Sequence, residues 1–305
     1  MPVAIVPEGL DGLRADVGAA RLFGLSRSAV DQAAERGQLY VDSVAVTKSA
    51  RLRPGSMLEV VSEPPRVVEV RPAVVDDMVV VYSDADLVVV DKPAMVAAHP
   101  SLGWQGPSVV EHLAAAGFPL CEYGPPERKG IVSRLDVGTS GLMVVALSDL
   151  AYVSLKRAFT EHEVRKVYYC LVQGYPNPPI GTIDAPIGHA GTGQWKMAVT
   201  SDGRHAVTHY EVIETLFGAS LVRVRIDTGR THQIRVHMSA IRHPCVGDVL
   251  YGADPRLAEQ VGLSRQWLHA VELGFVHPRS GEFVEFTSSY PADLRHALEV
   301  LRAEH

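Results

Sequence analysis

Asp136 is the carboxylate with the most telling surroundings. It sits in Ile131-Val132-Ser133-Arg134-Leu135-Asp136-Val137-Gly138-Thr139-Ser140-Gly141-Leu142, a polar turn that runs into an apolar, β-like segment. Gly138, Thr139, Ser140 and Gly141 are turn formers, so the aspartate belongs to a loop anchored by the strand that follows. Such a carboxylate has two uses. It can cap its own turn by accepting the N–H of Gly138 or Thr139, or it can face a substrate as nucleophile or base.

Two further stretches carry reactive groups. Thr228-Gly229-Arg230-Thr231-His232-Gln233-Ile234-Arg235-Val236-His237-Met238 crowds arginines, histidines and a glutamine behind a glycine turn. A helix from Thr231 onward puts His232, Arg235 and Met238 on one face, which offers a guanidinium to a carboxylate or phosphate. The plain alternative is an amphipathic helix with its polar side in water. His232 and His237 as zinc ligands lack a supporting pattern, since there is no His-Glu-x-x-His run and no cysteine nearby, so no metal is expected. In Arg165-Lys166-Val167-Tyr168-Tyr169-Cys170-Leu171, strand alternation puts Lys166, Tyr168 and Cys170 on one face. A tyrosine there either fills core or stacks on a base.

These groups need a scaffold, and the order of elements supplies one. Ser26 reads as the N-cap of a helix over Arg27–Arg36 that Gly37 stops. Leu39–Val41, a turn at Asp42-Ser43 and Val44–Val46 read as a hairpin, and Arg51-Leu52-Arg53-Pro54-Gly55 turns into a strand at Met57–Val61. Arg27, Arg36, Lys48, Arg51 and Arg53 punctuate this unit. With its Ser-Arg-Ser helix entry and Arg-Pro-Gly turn it resembles the small αL RNA-binding domain first described in a ribosomal small-subunit protein. That domain usually has Asn-Gly where Asp42-Ser43 stands here. The proline-bearing tract Glu63-Pro64-Pro65-Arg66 to Arg71-Pro72 reads as a linker. Domains are therefore expected at 1–72 and 73–305. In the second, strands at Met78–Tyr82, Leu87–Asp91, Lys166–Val172, Ala206–Ile213, Leu221–Asp227 and Phe283–Thr287 outnumber helices at Ser108–Ala116 and Leu150–Glu161. That pattern predicts an α+β fold on a largely antiparallel, mixed sheet.

Composition sets outer bounds. A net charge of −6 argues against bulk nucleic-acid affinity but leaves room for a local basic groove. The cysteines Cys121, Cys170 and Cys245 fit neither a disulfide framework nor a zinc site. Glu8 and Asp11 interrupt any leader at Met1, and the apolar runs are too short to span a bilayer. A cytoplasmic protein is expected.

With these motifs in order, the chain resembles the RluA family of pseudouridine synthases. The matching blocks are Asp91-Lys92-Pro93-Ala94-Met95-Val96 with His99-Pro100, Arg134-Leu135-Asp136 with Thr139-Ser140-Gly141-Leu142, and Lys166-Val167-Tyr168. They continue through Ala206–Tyr210, Gly229–His237, His243–Asp248 with Tyr251-Gly252, and Leu268-His269-Ala270. Thr208-His209-Tyr210 and Lys196–Val199 are most similar to the large-subunit RNA subgroup called RluD. The family usually reads His-Arg-Leu-Asp, and Ser133 stands in place of that histidine, which bears on loop geometry and substrate preference.

The resemblance implies an isomerase that needs no cofactor and acts on a flipped-out uridine. Asp136 would be the nucleophile, at the ribose anomeric carbon or the uracil ring, or the base of a glycal route. Arg235 would pair with it. Tyr168 would stack on the target base and is a candidate to take the proton released. Arg134 and Arg230 would touch the RNA backbone, as would the five basic residues of the first unit. The expected partner is large-subunit ribosomal RNA or its precursor particle. The alternatives are a tRNA-directed synthase and a noncatalytic ribosome-assembly protein on the same fold.

Overall fold

The structure is a computed structural model that describes residues 2–61, 70–101, 103–124, 126–191 and 196–304. The chain divides into two compact units, Met1–Val67 and Val68–His305. Most of the expected linker, 63–69, lies outside the described residues. Its end does not behave as a spacer: Val70 and Val75 pack against the core of the second unit, and Ala73 donates its N–H to the Glu111 carbonyl at 3.2 Å.

The first unit holds β1 (Val3–Ile5), α1 (Ala15–Phe23), α2 (Arg27–Glu35), β2 (Leu39–Val41), β3 (Val44–Ala45) and β4 (Met57–Val60). The strands form an antiparallel sheet in the order β1-β4-β2-β3. Ser26 caps α2 by accepting the Ala29 N–H. At the hairpin tip, Asp42 and Ser43 both have positive φ (50° and 64°), the conformation that Asn-Gly favours. The Asp42 carboxylate helps hold it by accepting the Met57 N–H at 2.7 Å. The sequence reading missed β1 and α1. Gly18 in mid-helix weakens the local signal, yet a Cβ there would lie 2.1 Å from Leu52 Cδ1, so close packing against the core accounts for the glycine.

The second unit holds β5 (Val79–Ser83), β6 (Leu87–Lys92), α3 (Val109–Ala115), β7 (Ser140–Ala146), α4 (Asp149–Thr160), β8 (Arg165–Gln173), β9 (Ile180–Asp184), β10 (Ile187–His189), β11 (Met197–Val199), β12 (Val207–Leu216), β13 (Ala219–Ile226), α5 (Gln233–Ala240), α6 (Pro255–Gln260), β14 (Leu268–Val276), β15 (Phe283–Thr287) and α7 (Ala292–Ala303). Its main sheet runs β5-β6-β7-β14-β8-β13-β12-β9, with β15 also on β14, and only the β7–β14 pair is parallel. The α+β reading therefore holds.

Helices cover both faces, so the central strands are apolar on both sides. Val88, Val90, Met143 and Val145 meet Val109 and Leu113 of α3, while Leu87, Val89, Leu142 and Val144 meet Ala151 and Leu155 of α4. Beyond β14, Tyr168, Cys170 and Val224 pack against Ile234 and Met238 of α5. On the opposite face Leu171, Leu221 and Trp267 pack against Leu294 and Leu298 of α7. No helix among the described residues is long and apolar enough to cross a membrane.

Candidate active site

The Asp136 loop is held from several directions by its backbone. Thr139 donates its N–H to the Asp136 carbonyl at 3.0 Å, Met95 N–H reaches the Val137 carbonyl at 2.8 Å, and Arg265 Nη1 reaches the Gly138 carbonyl at 3.1 Å. At Gly138 a Cβ would meet Gln266 Oε1 at 2.6 Å, and at Gly141, with φ +116°, it would meet the Ala270 carbonyl oxygen at 2.3 Å. Gly141 needs the missing side chain because backbone blocks it, whereas at Gly138 the obstacle is the movable end of the Gln266 side chain. From beneath, the buried Lys92 ammonium donates to the carbonyls of Pro93 (2.9 Å), Val96 (2.8 Å) and Val137 (3.4 Å). Burial pulls Lys92 down to about 7, against the opposing pull of the Asp136 charge.

The turn is thus closed by the main chain of Asp136, and its carboxylate faces elsewhere. Oδ2 lies 3.3 Å from Arg235 Nη1 and 4.0 Å from His232 Nε2. This is the arrangement of a carboxylate facing a site rather than capping its own turn.

Arg235 projects from α5, which begins at Gln233 rather than Thr231. His232 occupies the N-cap with φ 56°. The water-facing polar side of the plain alternative is absent, because Gln233, Arg235 and His237 are all buried. Gln233 ties the helix start to the sheet, accepting from Thr228 Oγ1 and Arg230 N–H and donating to the Val207 carbonyl and Thr208 Oγ1. His237 is engaged by Thr208 Oγ1 and the Ala185 carbonyl.

Asp248 grips the same guanidinium through Nε at 2.6 Å and Nη2 at 2.9 Å. The Tyr251 ring lies 4.8 Å from Arg235 Cζ, in cation–π range. The Tyr251 hydroxyl bonds His232 Nδ1 at 2.7 Å. Asp248 and Tyr251 received no role from the sequence reading. Their signal was present in the His243–Asp248 and Tyr251-Gly252 blocks, where nothing local ties either residue to an arginine thirteen or more positions upstream.

Asp136, His232, Gln233 and Arg235 line a cleft of about 830 Å³. Tyr168 reaches it from β8 and is a neutral phenol near pH 7, since burial first and the Asp136 charge second push its pKa far up. Arg134 and Arg230 line the same cleft, as does Ser133. Arg230 also donates through Nε to the His205 carbonyl at 2.9 Å. The lining Lys and Arg residues (Arg128, Arg134, Lys156, Lys166, Arg204, Arg230 and Arg235) face only Asp136 and Glu272 among lining acids. A chain of net charge −6 thus concentrates positive charge at one cleft, which suits a polyanion.

The other expected RNA contacts belong to the first unit. Arg27 is paired with buried Asp16 at 3.1 Å, and Arg14 holds that carboxyl down to about 2. Lys48 lies 3.6 Å from Asp31 and 3.8 Å from Glu35, and Arg51 donates to the Gly12 carbonyl at 2.8 Å. Arg36 and Arg53 are exposed.

A carboxylate, its guanidinium and an aromatic ring together in one basic cleft suit an enzyme that acts on a nucleic acid. The chain belongs to the RNA pseudouridylate synthase family: residues 86–240 match it, a span that contains Asp136, Tyr168 and Arg235. It is an isomerase that makes pseudouridine in RNA. An "uncharacterized RNA pseudouridine synthase" of Mycobacterium bovis is 55% identical over 98% of this chain and 97% of its own. The ribosomal large subunit pseudouridine synthase D of Nitrosomonas europaea is 37% identical over 97% of this chain and 87% of its own. Among solved structures, human RNA pseudouridylate synthase domain containing 1 superposes with a TM-score of 0.58 at 31% identity, covering 72% of this chain and 86% of that one.

Proposed function

We propose that this enzyme isomerises uridines of large-subunit ribosomal RNA, in the cytoplasm, with Asp136 as the reacting carboxylate, Arg235 as its cation and Tyr168 as the ring beneath the target base. The observation that carries the site reading is the Asp136–Arg235 contact at the floor of a basic cleft. The substrate reading is supported by relatives named ribosomal large subunit pseudouridine synthase D, at 42%, 37% and 36% identity in three bacteria. A uridine must leave its stack to reach this floor, and Arg134 and Arg230 at the walls supply cations for the flanking phosphates. Carbodiimide tagging of pseudouridine with primer extension, on RNA from wild-type and deletion cells, tests the assignment. Sites missing from tRNA, with large-subunit RNA unchanged, would move the substrate and leave the chemistry standing.

Tyr168 has two separable uses. As a neutral phenol it has no ready capacity to take a proton, so stacking is the role the site favours. Tyr168→Phe is therefore expected to keep RNA affinity and most of the rate, and Tyr168→Ala to lose roughly ten- to a hundredfold in affinity or rate, one stacking contact being worth ~1–3 kcal/mol. Accumulation of a rearranged, unreleased base in Tyr168→Phe would instead assign the hydroxyl to proton transfer. Normal turnover in Tyr168→Ala would return the residue to the core.

The first unit is proposed as a second RNA contact, with Arg36 and Arg53 as its exposed cations. A tethered module raises effective concentration on an RNA long enough to meet both units. Removal of residues 1–67 is expected to weaken modification of ribosomal RNA or its precursor particle, with the catalytic unit still folded. The deficit should deepen between low and physiological salt, since phosphate contacts release counterions. Equal salt slopes for full-length and truncated enzyme would remove the RNA-binding role from this unit.

A further inference from the structure

Arg235 serves two carboxylates unequally. Asp248 takes the fork, with bonds of 2.6 and 2.9 Å, and its side chain is only 2% exposed. Asp136 is left with Nη1 at 3.3 Å and is 23% exposed. A bidentate, desolvated pair is the stronger of the two contacts and fixes the plane of the guanidinium. The Tyr251 face at 4.8 Å fixes it from below.

We propose that Asp248 is a positioning residue for the isomerisation: it aims Arg235 and keeps that cation satisfied whatever the state of Asp136. The inference rests on Asp136 being the carboxylate that reacts.

The charge count explains the benefit. In one route an Asp136 oxygen gives an electron pair to ribose C1′ while the C1′–N1 pair leaves with uracil. In another, Asp136 takes the C2′ proton, the C2′–H pair becomes the C1′=C2′ bond, and the C1′–N1 pair again leaves with uracil. Either way Asp136 becomes neutral and its negative charge passes to the base. Without Asp248 that step would strand a buried guanidinium. With Asp248 in place, a neutral pair remains behind. The same carboxylate also draws Arg235 away from Asp136, which leaves the nucleophile less tightly neutralised.

The groups facing Asp136 are Arg235 and His232 at the start of α5, Tyr251 beyond it, Lys92 of β6 and Tyr168 of β8. With the second anion removed, Arg235 would act on Asp136 alone and favour its ionised form.

The test uses the full chain in single-turnover isomerisation of a large-subunit RNA transcript across pH, with RNA binding measured in parallel. Asp248→Asn is expected to slow the plateau rate at least about tenfold, one such partner of a charged group being worth that much or more. Binding should hold, and the acidic limb should move to lower pH. The shift should persist in a His232→Gln background, which takes that imidazole out of the titration. A slower Asp248→Asn with its acidic limb in place would show a structural prop only and overturn the proposal. If Asp248→Asn does not fold, Asp248→Glu decides: the charge stays while the guanidinium is displaced. A slowed rate with intact binding and an unmoved limb supports positioning, and a wild-type rate overturns it. Asp136→Asn, run alongside, separates the two readings. Activity in Asp136→Asn would remove the reacting carboxylate itself, whereas an inert Asp136→Asn beside a wild-type Asp248→Asn would remove only the role of Asp248.

Discussion

Asp136→Asn should abolish pseudouridine formation, with a loss on the order of 10⁴-fold or more, while the protein stays folded and binds RNA nearly as before. The amide keeps the shape of the side chain and removes the electron-rich oxygen that must react. Stability should change little for a reason visible in the site. The Asp136 carboxylate holds long contacts to Arg235 at 3.3 Å and His232 at 4.0 Å, whereas the Arg235–Asp248 pair survives the substitution intact. The measurement is tritium release or pseudouridine mapping, set beside thermal melting and RNA binding. Near-normal turnover in Asp136→Asn would remove this residue from the chemistry.

Arg235→Ala should be as damaging to turnover and, unlike the first variant, should also destabilise the fold. It strands the Asp248 carboxylate, which is 2% exposed, and a buried charge that loses its partner costs about 3–5 kcal/mol. For a domain of this size that corresponds to a fall in melting temperature of about 10 °C. Arg235→Lys restores the charge without the planar fork, so it should recover much of the stability and little of the rate. Melting curves of the three proteins and their single-turnover rates give the comparison. An Arg235→Ala protein that melts with the wild type would mean the buried pair is not what holds α5 to the Asp248 loop.

How much of this was legible in the chain depends on how local each signal is. Short apolar, β-branched runs such as Leu87–Val90, bounded by turn residues, mark strands buried on both faces because the signal lies within a few residues. Ser26 and Ser108 mark helix starts by the same locality, each accepting an N–H within its own first turn. Asp136, Tyr168 and Arg235 stood out by residue type and by motif. What stayed hidden was pairing at long range. Nothing near Asp248 announces a grip on Arg235, and nothing near Lys92 announces that its ammonium would end under the Asp136 loop. The start of α5 was misplaced because His232 takes a left-handed backbone that few residues other than glycine adopt, a choice stabilised by the Gln233 contacts to β12. The plain alternative of a wet polar face fails because Gln233, Arg235 and His237 are polar by composition yet satisfied inside.

One consequence lies in β14, which lies between β7 and β8 and hydrogen-bonds to both. The loop bearing Asp136 leads into β7 and Tyr168 sits on β8, so the proposed nucleophile and its ring are anchored two strand spacings apart, roughly 10 Å of sheet. If that frame keeps its spacing when RNA binds, the yielding falls to the RNA, and under the proposed function the target nucleotide would unstack and swing out to meet the cleft. Substrate choice would then turn on how cheaply a given uridine leaves its neighbours, with bulges, loops and weakly stacked steps favoured over continuous helix. Among sites the cleft can reach, the enzyme would rank uridines by the local softness of the RNA as much as by its sequence.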